Sequence, residues 1–221
     1  MERRHLCTAL LVIASISQGA SAEYGGLAIA GRSGTLGFGG ELMLNVLPQL
    51  NGRFGATFFP LSVDGSIGGV NYDFDLKVLT FPLTADWYPF KNGFHLSGGI
   101  IINETNMDLD TRSTASLNIG GTTYSADQLG SVHGDMRFNR VAPYVGLGWG
   151  NAFGKEKRWG ILSDLGVAFL GKPKVALSAT GPIASDATFM GNLAQEQQDI
   201  EDDLSILRFY PVFSASLYFR F

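Results

Sequence analysis

Apolar and polar side chains alternate at every second position in eight segments of the chain. In the last segment, Phe213, Leu217 and Phe219 fall on one face of an extended strand, and Ser214 and Ser216 fall on the other. A helix would repeat its apolar positions every three to four residues, so this pattern predicts strands. The expected strands cover residues 24–31, 35–46, 51–63, 70–88, 93–109, 136–150, 158–177 and 205–221.

The two faces of these strands differ in bulk. One face carries Phe, Leu and Val, whereas the other is rich in Gly, Ala and Ser with a few charges. Eight strands enclose a lumen only wide enough for side chains, and the bulky face would overfill it. We therefore expect an all-β protein, a closed antiparallel eight-stranded transmembrane β-barrel with its apolar face towards lipid. A soluble sandwich or lipocalin-like barrel, with the apolar face inward, is the alternative.

The connections between the strands alternate in length. The short ones are 48–52, 91–93 and 151–157, and the long ones are 110–135 and 179–204. Bacterial outer-membrane barrels have short periplasmic turns and longer outer loops. With both chain ends in the periplasm, all three short turns fall on the periplasmic side. The first outer connection, residues 31–34, is unusually tight for an outer loop.

The long connections contain elements of their own. Segment 117–124 predicts a hairpin beyond the membrane. Apolar residues at helical spacing predict a short amphipathic helix in the last outer loop, packed on the rim or dipping into the mouth; they are Phe189, Leu193, Ile200 and Leu204. The acidic residues of this segment are expected on a solvated face; they are Glu196, Asp199, Glu201, Asp202 and Asp203.

Large aromatic residues cluster beside the short turns, where an interfacial girdle is expected. The predicted girdle is Trp87, Tyr88, Phe90, Trp149 and Trp159. A soluble core would instead place its tryptophans in the middle of strands.

Charged residues also fall on the inward face of the predicted strands; they are Glu41, Arg53, Asp73, Asp75, Lys77, Asp164 and Arg220. Charges inside a narrow lumen must be paired, so we expect an ion-pair network that fills the barrel. Arg53 is the expected partner of Glu41 or Asp73. A pore lined by selective charges is the alternative interpretation.

The predicted strands contain or adjoin four prolines that conflict with the pattern, because a closed barrel has no edge that tolerates a missing donor; they are Pro60, Pro82, Pro143 and Pro211. Pro60 and Pro211 are expected beyond the membrane, at the outer rim. Near Pro82 the apolar set also changes parity, between Val78 and Leu79, and a β-bulge there would explain both features. The pattern offers no account of Pro143.

The first 22 residues have the features of a secretory signal peptide. Arg3 and Arg4 precede a short apolar run at 6–16, and Ala20-Ser21-Ala22 forms an A-x-A cleavage site. Residues 1–22 are therefore the expected signal peptide, and residues 23–221 the expected barrel domain. Cys7, the only cysteine, lies in the signal, so the mature chain is expected to hold neither disulfide nor cysteine nucleophile.

Composition narrows the class of protein further. The 221 residues are 45% hydrophobic and only 16% charged, which excludes intrinsic disorder. A formal net charge of −4 argues against nucleic acid as a partner. Neither cofactor nor metal is expected, and the acidic run at 196–203 lacks EF-hand spacing.

The C-terminus, Leu217-Tyr218-Phe219-Arg220-Phe221, is similar to the assembly signal of outer-membrane proteins, in which a terminal Phe follows apolar residues two and four positions before it. The signal residues are Leu217, Phe219 and Phe221. With Asp86-Trp87-Tyr88-Pro89-Phe90 and Gly148-Trp149-Gly150, the mature chain resembles small barrels of the OmpA/OmpX/OmpW type. This resemblance implies an outer-membrane location, insertion by the barrel assembly machinery with periplasmic chaperones, and contact with outer-membrane lipids. A monomer is expected.

We expect a structural or interaction role at the bacterial surface, without catalysis. The alternative is a narrow channel for small or hydrophobic solutes, gated by 179–204. A third possibility is a lipid A-modifying enzyme, because some eight-stranded lipid A deacylases carry a His-x-Ser pair and a distal Glu. Here His95 and Ser97 share a face. However, His95 follows a periplasmic turn, and Glu104, seven residues from Ser97, falls on the opposite face.

Overall fold

The fold is described from a computed structural model of the chain. It describes residues 25–67, 70–104, 106–113, 116–154 and 158–221, with the backbone alone for 60–67, 70–77 and 106–113. The expected signal peptide lies outside the described residues. The side chains of Asp73, Asp75 and Lys77 do as well, so their predicted place in the lumen stays a prediction.

The described part of the chain contains thirteen strands and two α-helices, besides short 3₁₀ helices at Pro182–Ser185 and Leu204–Arg208. The strands and α-helices are numbered in chain order. They are β1 (Leu27–Gly34), β2 (Gly37–Leu47), β3 (Leu50–Ile67), β4 (Val70–Trp87), β5 (Phe94–Asn103), β6 (Asn106–Ser113), β7 (Leu117–Ile119), β8 (Thr122–Tyr124), α1 (Ala126–Leu129), β9 (Ser131–Arg137), β10 (Val141–Trp149), β11 (Trp159–Phe169), β12 (Lys174–Ala179), α2 (Ala187–Asp203) and β13 (Phe209–Arg220).

Eight of these strands close into an antiparallel barrel, as the alternation predicts. The order around the barrel is β1, β2, β3, β4, β5, β10, β11 and β13. The first and last strands pair with each other, with Ile29 opposite Phe219. On the far side, residues 80–87 of β4 pair with 96–103 of β5. Every barrel strand therefore has two hydrogen-bonded neighbours, which removes the free edges that a membrane would not tolerate.

The bulky face of the strands lies on the outside of the barrel. Phe54, Phe58, Val145 and Leu217 are exposed there, whereas the residues between them face the lumen and are buried or small. An exposed apolar belt of this extent is stable in lipid rather than in water. The predicted orientation of the two faces is confirmed.

Above the barrel, the sheet continues as an extension on one side only. Residues 70–77 of β4 pair with β6, β6 pairs with β9, and β9 pairs with β12. A small apolar core lies beside it, formed by Ile119, Tyr124, Leu129 and Phe189. The predicted hairpin is present as β7 and β8, and the predicted helix of the last outer loop is α2. No helix of the described residues is long and apolar enough to span a membrane.

Helix α2 covers the free edge of β12 with polar side chains. The amide of Val175 donates to Oε1 of Glu201 at 2.9 Å, and the side-chain amide of Gln197 donates to the carbonyl of Leu177 at 3.1 Å. Glu196 accepts a hydrogen bond from the amide of Gly120 at 2.9 Å, beside the β7–β8 turn. The expectation that the acidic residues of this segment lie on a solvated face is therefore wrong for Glu196 and Glu201, because both accept hydrogen bonds from backbone amides.

The expected bulge near Pro82 is wrong. β4 pairs with β3 in a single register on both sides of a short gap, in which residues 55–56 and 81–82 form no pairs. β4 also keeps a single register along β5 and β6. The apolar residues of β4 therefore change from one face of the strand to the other after Val78, while the backbone keeps its register. Pro143 pairs with Ile100 of β5, but the β10–β11 ladder begins only at Tyr144. On that side Pro143 lies at an edge, where a missing donor is tolerated.

Removing the carboxylate of Glu201 should leave the Val175 amide unpaired at the sheet edge. We expect Glu201→Ala to raise hydrogen exchange at Val175 at least about tenfold, because a hydrogen bond to a charged group contributes roughly 1.5–3 kcal/mol. Asp199→Ala is the matched control, since Asp199 is exposed on the same helix and its substitution removes the same charge. Equal exchange in both variants would contradict the edge-covering role.

Candidate functional site

The lumen of the barrel contains a charged layer between two apolar layers. Along β11, Leu162, Asp164 and Ala168 point inward in that order from the end of the barrel that carries the short turns. Leu162 belongs to an apolar cluster with Ala28, Ala30, Met43, Ala152 and Tyr218. Ala168 belongs to a second cluster with Leu36, Ile101, Ala142, Tyr144 and Val212. The charged layer at Asp164 is therefore closed off from above and below by packed side chains.

Arg53 of β3 is the centre of the charged layer. Its Nη1 and Nη2 donate to Oδ2 and Oδ1 of Asp164, at 2.8 and 2.9 Å. Its Nη2 also donates to Oδ1 of Asp86 at 2.9 Å, and its Nε lies 2.7 Å from Oδ2 of the same carboxylate. All three side chains are almost fully buried. Such forked pairing gives both charge compensation and a fixed geometry.

A second ion pair extends the layer towards β1 and β2. The guanidinium of Arg32 donates to Oε1 of Glu41, while Oε2 of Glu41 lies 3.9 Å from Nη1 of Arg53. Ser216 of β13 donates to Oε2 of Glu41 at 3.2 Å. The layer thus holds two guanidinium groups and three carboxylates within one hydrogen-bonded network.

Three further side chains complete this network. Nε2 of His95 lies 3.0 Å from Oδ1 of Asp164, Ser214 donates to Oδ2 of Asp164 at 3.1 Å, and Ser97 donates to Oδ1 of Asp86 at 2.8 Å. His95 packs against the backbone of Gly148, where a β-carbon would lie only 2.4 Å from Nε2. A glycine is therefore required opposite His95 for the imidazole to reach Asp164.

Three of the predicted lumen charges meet in this layer, namely Glu41, Arg53 and Asp164. Arg220 does not join them, because its Nη1 donates to the carbonyl of Gly154, 2.9 Å away, at the end of the barrel that carries the short turns. The sequence prediction also missed Arg32 and Asp86. Both share the parity of their inward neighbours, but Arg32 follows the expected end of the first strand and Asp86 was grouped with the aromatic segment.

Four of the five predicted girdle residues lie on the outside of the barrel near the short turns. Trp87, Phe90, Trp149 and Trp159 are all more than half exposed. Tyr88 is not part of this girdle, since only 2% of it is exposed and its ring lies 5.2 Å from that of His95. It follows Asp86 by two positions and therefore points to the same side, into the lumen.

The residues of the C-terminal motif face outward. Leu217 and Phe219 lie on the lipid-facing side of β13, and the terminal Phe221 packs edge-on against Phe219 with ring centroids 5.6 Å apart. β13 itself pairs with both β1 and β11, so these residues belong to the strand that closes the barrel.

The structure does not assemble the His95, Ser97 and Glu104 arrangement. The Ser97 hydroxyl donates to Asp86, while Nε2 of His95 lies against Asp164. Glu104 lies at the outer rim, where it accepts from Nε of Arg140 at 2.7 Å. A serine nucleophile needs a base within hydrogen-bond reach, and this serine contacts a carboxylate instead. Among the described side chains, no group of three or more His, Cys, Asp or Glu could hold a metal ion.

Removing Arg53 should leave two buried carboxylates without their main partner. We expect Arg53→Ala to lower the free energy of unfolding by about 3–5 kcal/mol, the usual cost of breaking a buried ion pair from one side. Urea unfolding in lipid vesicles, followed by tryptophan fluorescence, measures this change. Arg140→Ala removes an arginine from the exposed pair with Glu104 and should cost less than about 1 kcal/mol. An unchanged midpoint for Arg53→Ala would reject the central role of Arg53.

Comparison with known proteins is consistent with this architecture. No protein-family model matches the sequence, and no curated protein matches it. The crystal structure of CarO2 from Acinetobacter baumannii matches at a TM-score of 0.60 and 24% identity, over 90% of this chain and 100% of that one. The crystal structure of CarO from the same organism matches at 0.56 and 21%, over 89% and 98%. The chain therefore has the fold of the eight-stranded outer-membrane β-barrels.

Proposed function

We propose that this protein is an outer-membrane barrel with a structural or interaction role at the bacterial surface, a closed lumen and no catalytic activity. The fold it shares with outer-membrane barrels supports the location, and so does the lipid-facing apolar belt with tryptophans at one end. The filled lumen is the observation that carries the proposed role. A barrel whose interior is occupied by paired charges and packed apolar side chains acts as an anchor and not as a passage.

The outer extension is the part available for interactions. It has its own apolar core around Phe189, and α2 is held to the β7–β8 hairpin by Asn192, whose side chain donates to the hydroxyl of Tyr124 at 2.7 Å. A surface that is ordered by its own contacts loses less entropy when a partner binds. This order supports a role in recognition outside the membrane.

The proposed route to the membrane follows from the two chain ends. Residues 1–22 would direct export, and periplasmic chaperones and the barrel assembly machinery would then receive the mature chain. The outward position of Leu217, Phe219 and Phe221 supports this route, because a motif on the outer face of the closing strand is accessible before insertion. The barrel is proposed to be a monomer in contact with outer-membrane lipids.

One cavity favours the channel as a second candidate function. A space of about 130 Å³ lies at the outer mouth and is lined mostly by apolar side chains, including Leu36, Ile101, Phe138, Leu207 and Tyr210. A small hydrophobic solute would fit its size and lining. However, its described lining holds no residue of 179–204, so the structure offers no contact for the expected gate there.

Conductance separates the anchor from the channel. In planar bilayers we expect the wild-type barrel to produce no discrete current steps, because the Arg53 network and both apolar layers occupy the lumen. A variant that lacks residues 186–203 should also produce no current steps. Heat-modifiable migration on gels confirms that each sample is folded. Discrete steps in the wild type that are lost in the deletion would overturn the proposal in favour of the channel.

Lipid A analysis tests the absence of catalysis. We expect the lipid A mass spectrum of cells to be the same with and without expression of the protein, because Ser97 and His95 contact separate carboxylates. Ser97→Ala is the control variant and should also leave the spectrum unchanged. A lost or added acyl chain that depends on Ser97 would overturn the non-catalytic assignment.

A further inference from the structure

The described cations on the outer side of the barrel all lie in one sector. Of ten described Lys and Arg side chains, two are in the lumen, Arg32 and Arg53, and three are at the periplasmic end, Lys91, Arg158 and Arg220. The other five form what we call the outer basic patch, which consists of Arg137, Arg140, Lys172, Lys174 and Arg208. All five side chains are exposed.

Backbone hydrogen bonds hold the segments of the outer basic patch side by side. The amide of Asn139 donates to the carbonyl of Leu170 at 3.2 Å, and the amide of Leu170 donates to the carbonyl of Arg208 at 2.9 Å. Strand pairing places Arg137 directly opposite Lys174, with both side chains on the same face. Two cations directly opposite each other in a sheet destabilise it, unless an anion lies between them.

The carboxylates of the protein compensate this patch only in part. Glu104 pairs with Arg140, Asp135 with Arg137 at 3.2 Å, and Asp202 with Lys172 at 3.5 Å, all at exposed positions where pairing is weak. Within the described residues, no carboxylate lies within 4.0 Å of the charged groups of Lys174 or Arg208. The guanidinium of Arg208 instead lies 4.8 Å from the ring centroid of Phe209.

The outer basic patch lies directly above the lipid-facing belt. Val141, Phe169 and Phe209 follow the patch towards the membrane and are exposed on the outside of the barrel. Phe169 and Phe209 stack edge-on at 5.7 Å between ring centroids, at the end of the barrel opposite the tryptophans. Lipid phosphates lie just above the acyl chains that such a belt contacts, which is the level of Arg140 and Arg208.

We propose that the outer basic patch binds the phosphate groups of an outer-leaflet lipid of the lipid A class. This inference rests on the proposed outer-membrane location. Arginine suits the site because its fork matches two phosphate oxygens, while lysine adds a point charge. The apolar belt below would hold the acyl chains of the same molecule, so one lipid meets both surfaces at once. A bound phosphate would also relieve the repulsion between Arg137 and Lys174.

Lipid titration of the full-length barrel tests the proposal. The protein, reconstituted in phosphatidylcholine vesicles and then extracted in mild detergent, is titrated with bisphosphorylated lipid A or with lipid A stripped of phosphate. Native mass spectrometry counts the bound molecules. We expect Lys174→Gln with Arg208→Gln to weaken binding of the phosphorylated lipid about 25-fold, since each cation near an anionic headgroup contributes about fivefold. Binding of the stripped lipid should be weak and unchanged.

A matched double variant at the other end of the barrel gives the control. Lys91→Gln with Arg158→Gln removes the same charge and should bind within about twofold of the wild type. Equal binding of both lipids to the wild type, an equal loss in the control variant, or displacement of lipid A by inorganic phosphate would each overturn the proposal. A barrel that inserts into vesicles yet shows one of these results contradicts the lipid site alone. A wild type that fails to insert overturns the proposed function, and the lipid site with it.

Discussion

The pairing of Arg53 with Asp86 and Asp164 is the interaction on which the barrel interior depends. Arg53 and Asp86 lie on neighbouring strands, whereas Asp164 lies on β11, across the lumen. Buried charges are stable only when each has a partner in good geometry. The guanidinium of Arg53 therefore connects β3 and β4 to β11 on the opposite side of the lumen. This contact forms only if the barrel closes with this number of strands and this register.

The rest of the interior is arranged around that requirement. Small residues on the inward face make room for the charged layer, as Gly148 does for His95 and Gly55 does beside Glu41. Apolar clusters above and below keep water from competing with the ion pairs, which strengthens them. The bulky apolar residues are then left for the outside, so that the polarity is inverted relative to a soluble protein.

Periodicity was sufficient for the fold and for the inward face of three of the charged residues. It identified Arg53, Glu41 and Asp164 because every second residue of a strand shares a face. It could not show that Arg53 would meet Asp164, because partners across a lumen depend on closure and register, which no single strand encodes. Parity within the strand is the signal that places Asp86 in the lumen. The same parity places Tyr88 in the lumen and not in the interfacial girdle, although Tyr88 lies beside a turn. Arg32 was missed because the expected first strand ended at residue 31.

The covering of β12 by α2 has a consequence for molecules that stand close together in a membrane. A row of free amides and carbonyls on a sheet edge is a template for a strand from a neighbouring molecule. Here two of those groups, on Val175 and Leu177, are already bonded within the same chain. Crowded barrels can therefore approach each other along this side without joining their sheets, and their outer surfaces stay separate units.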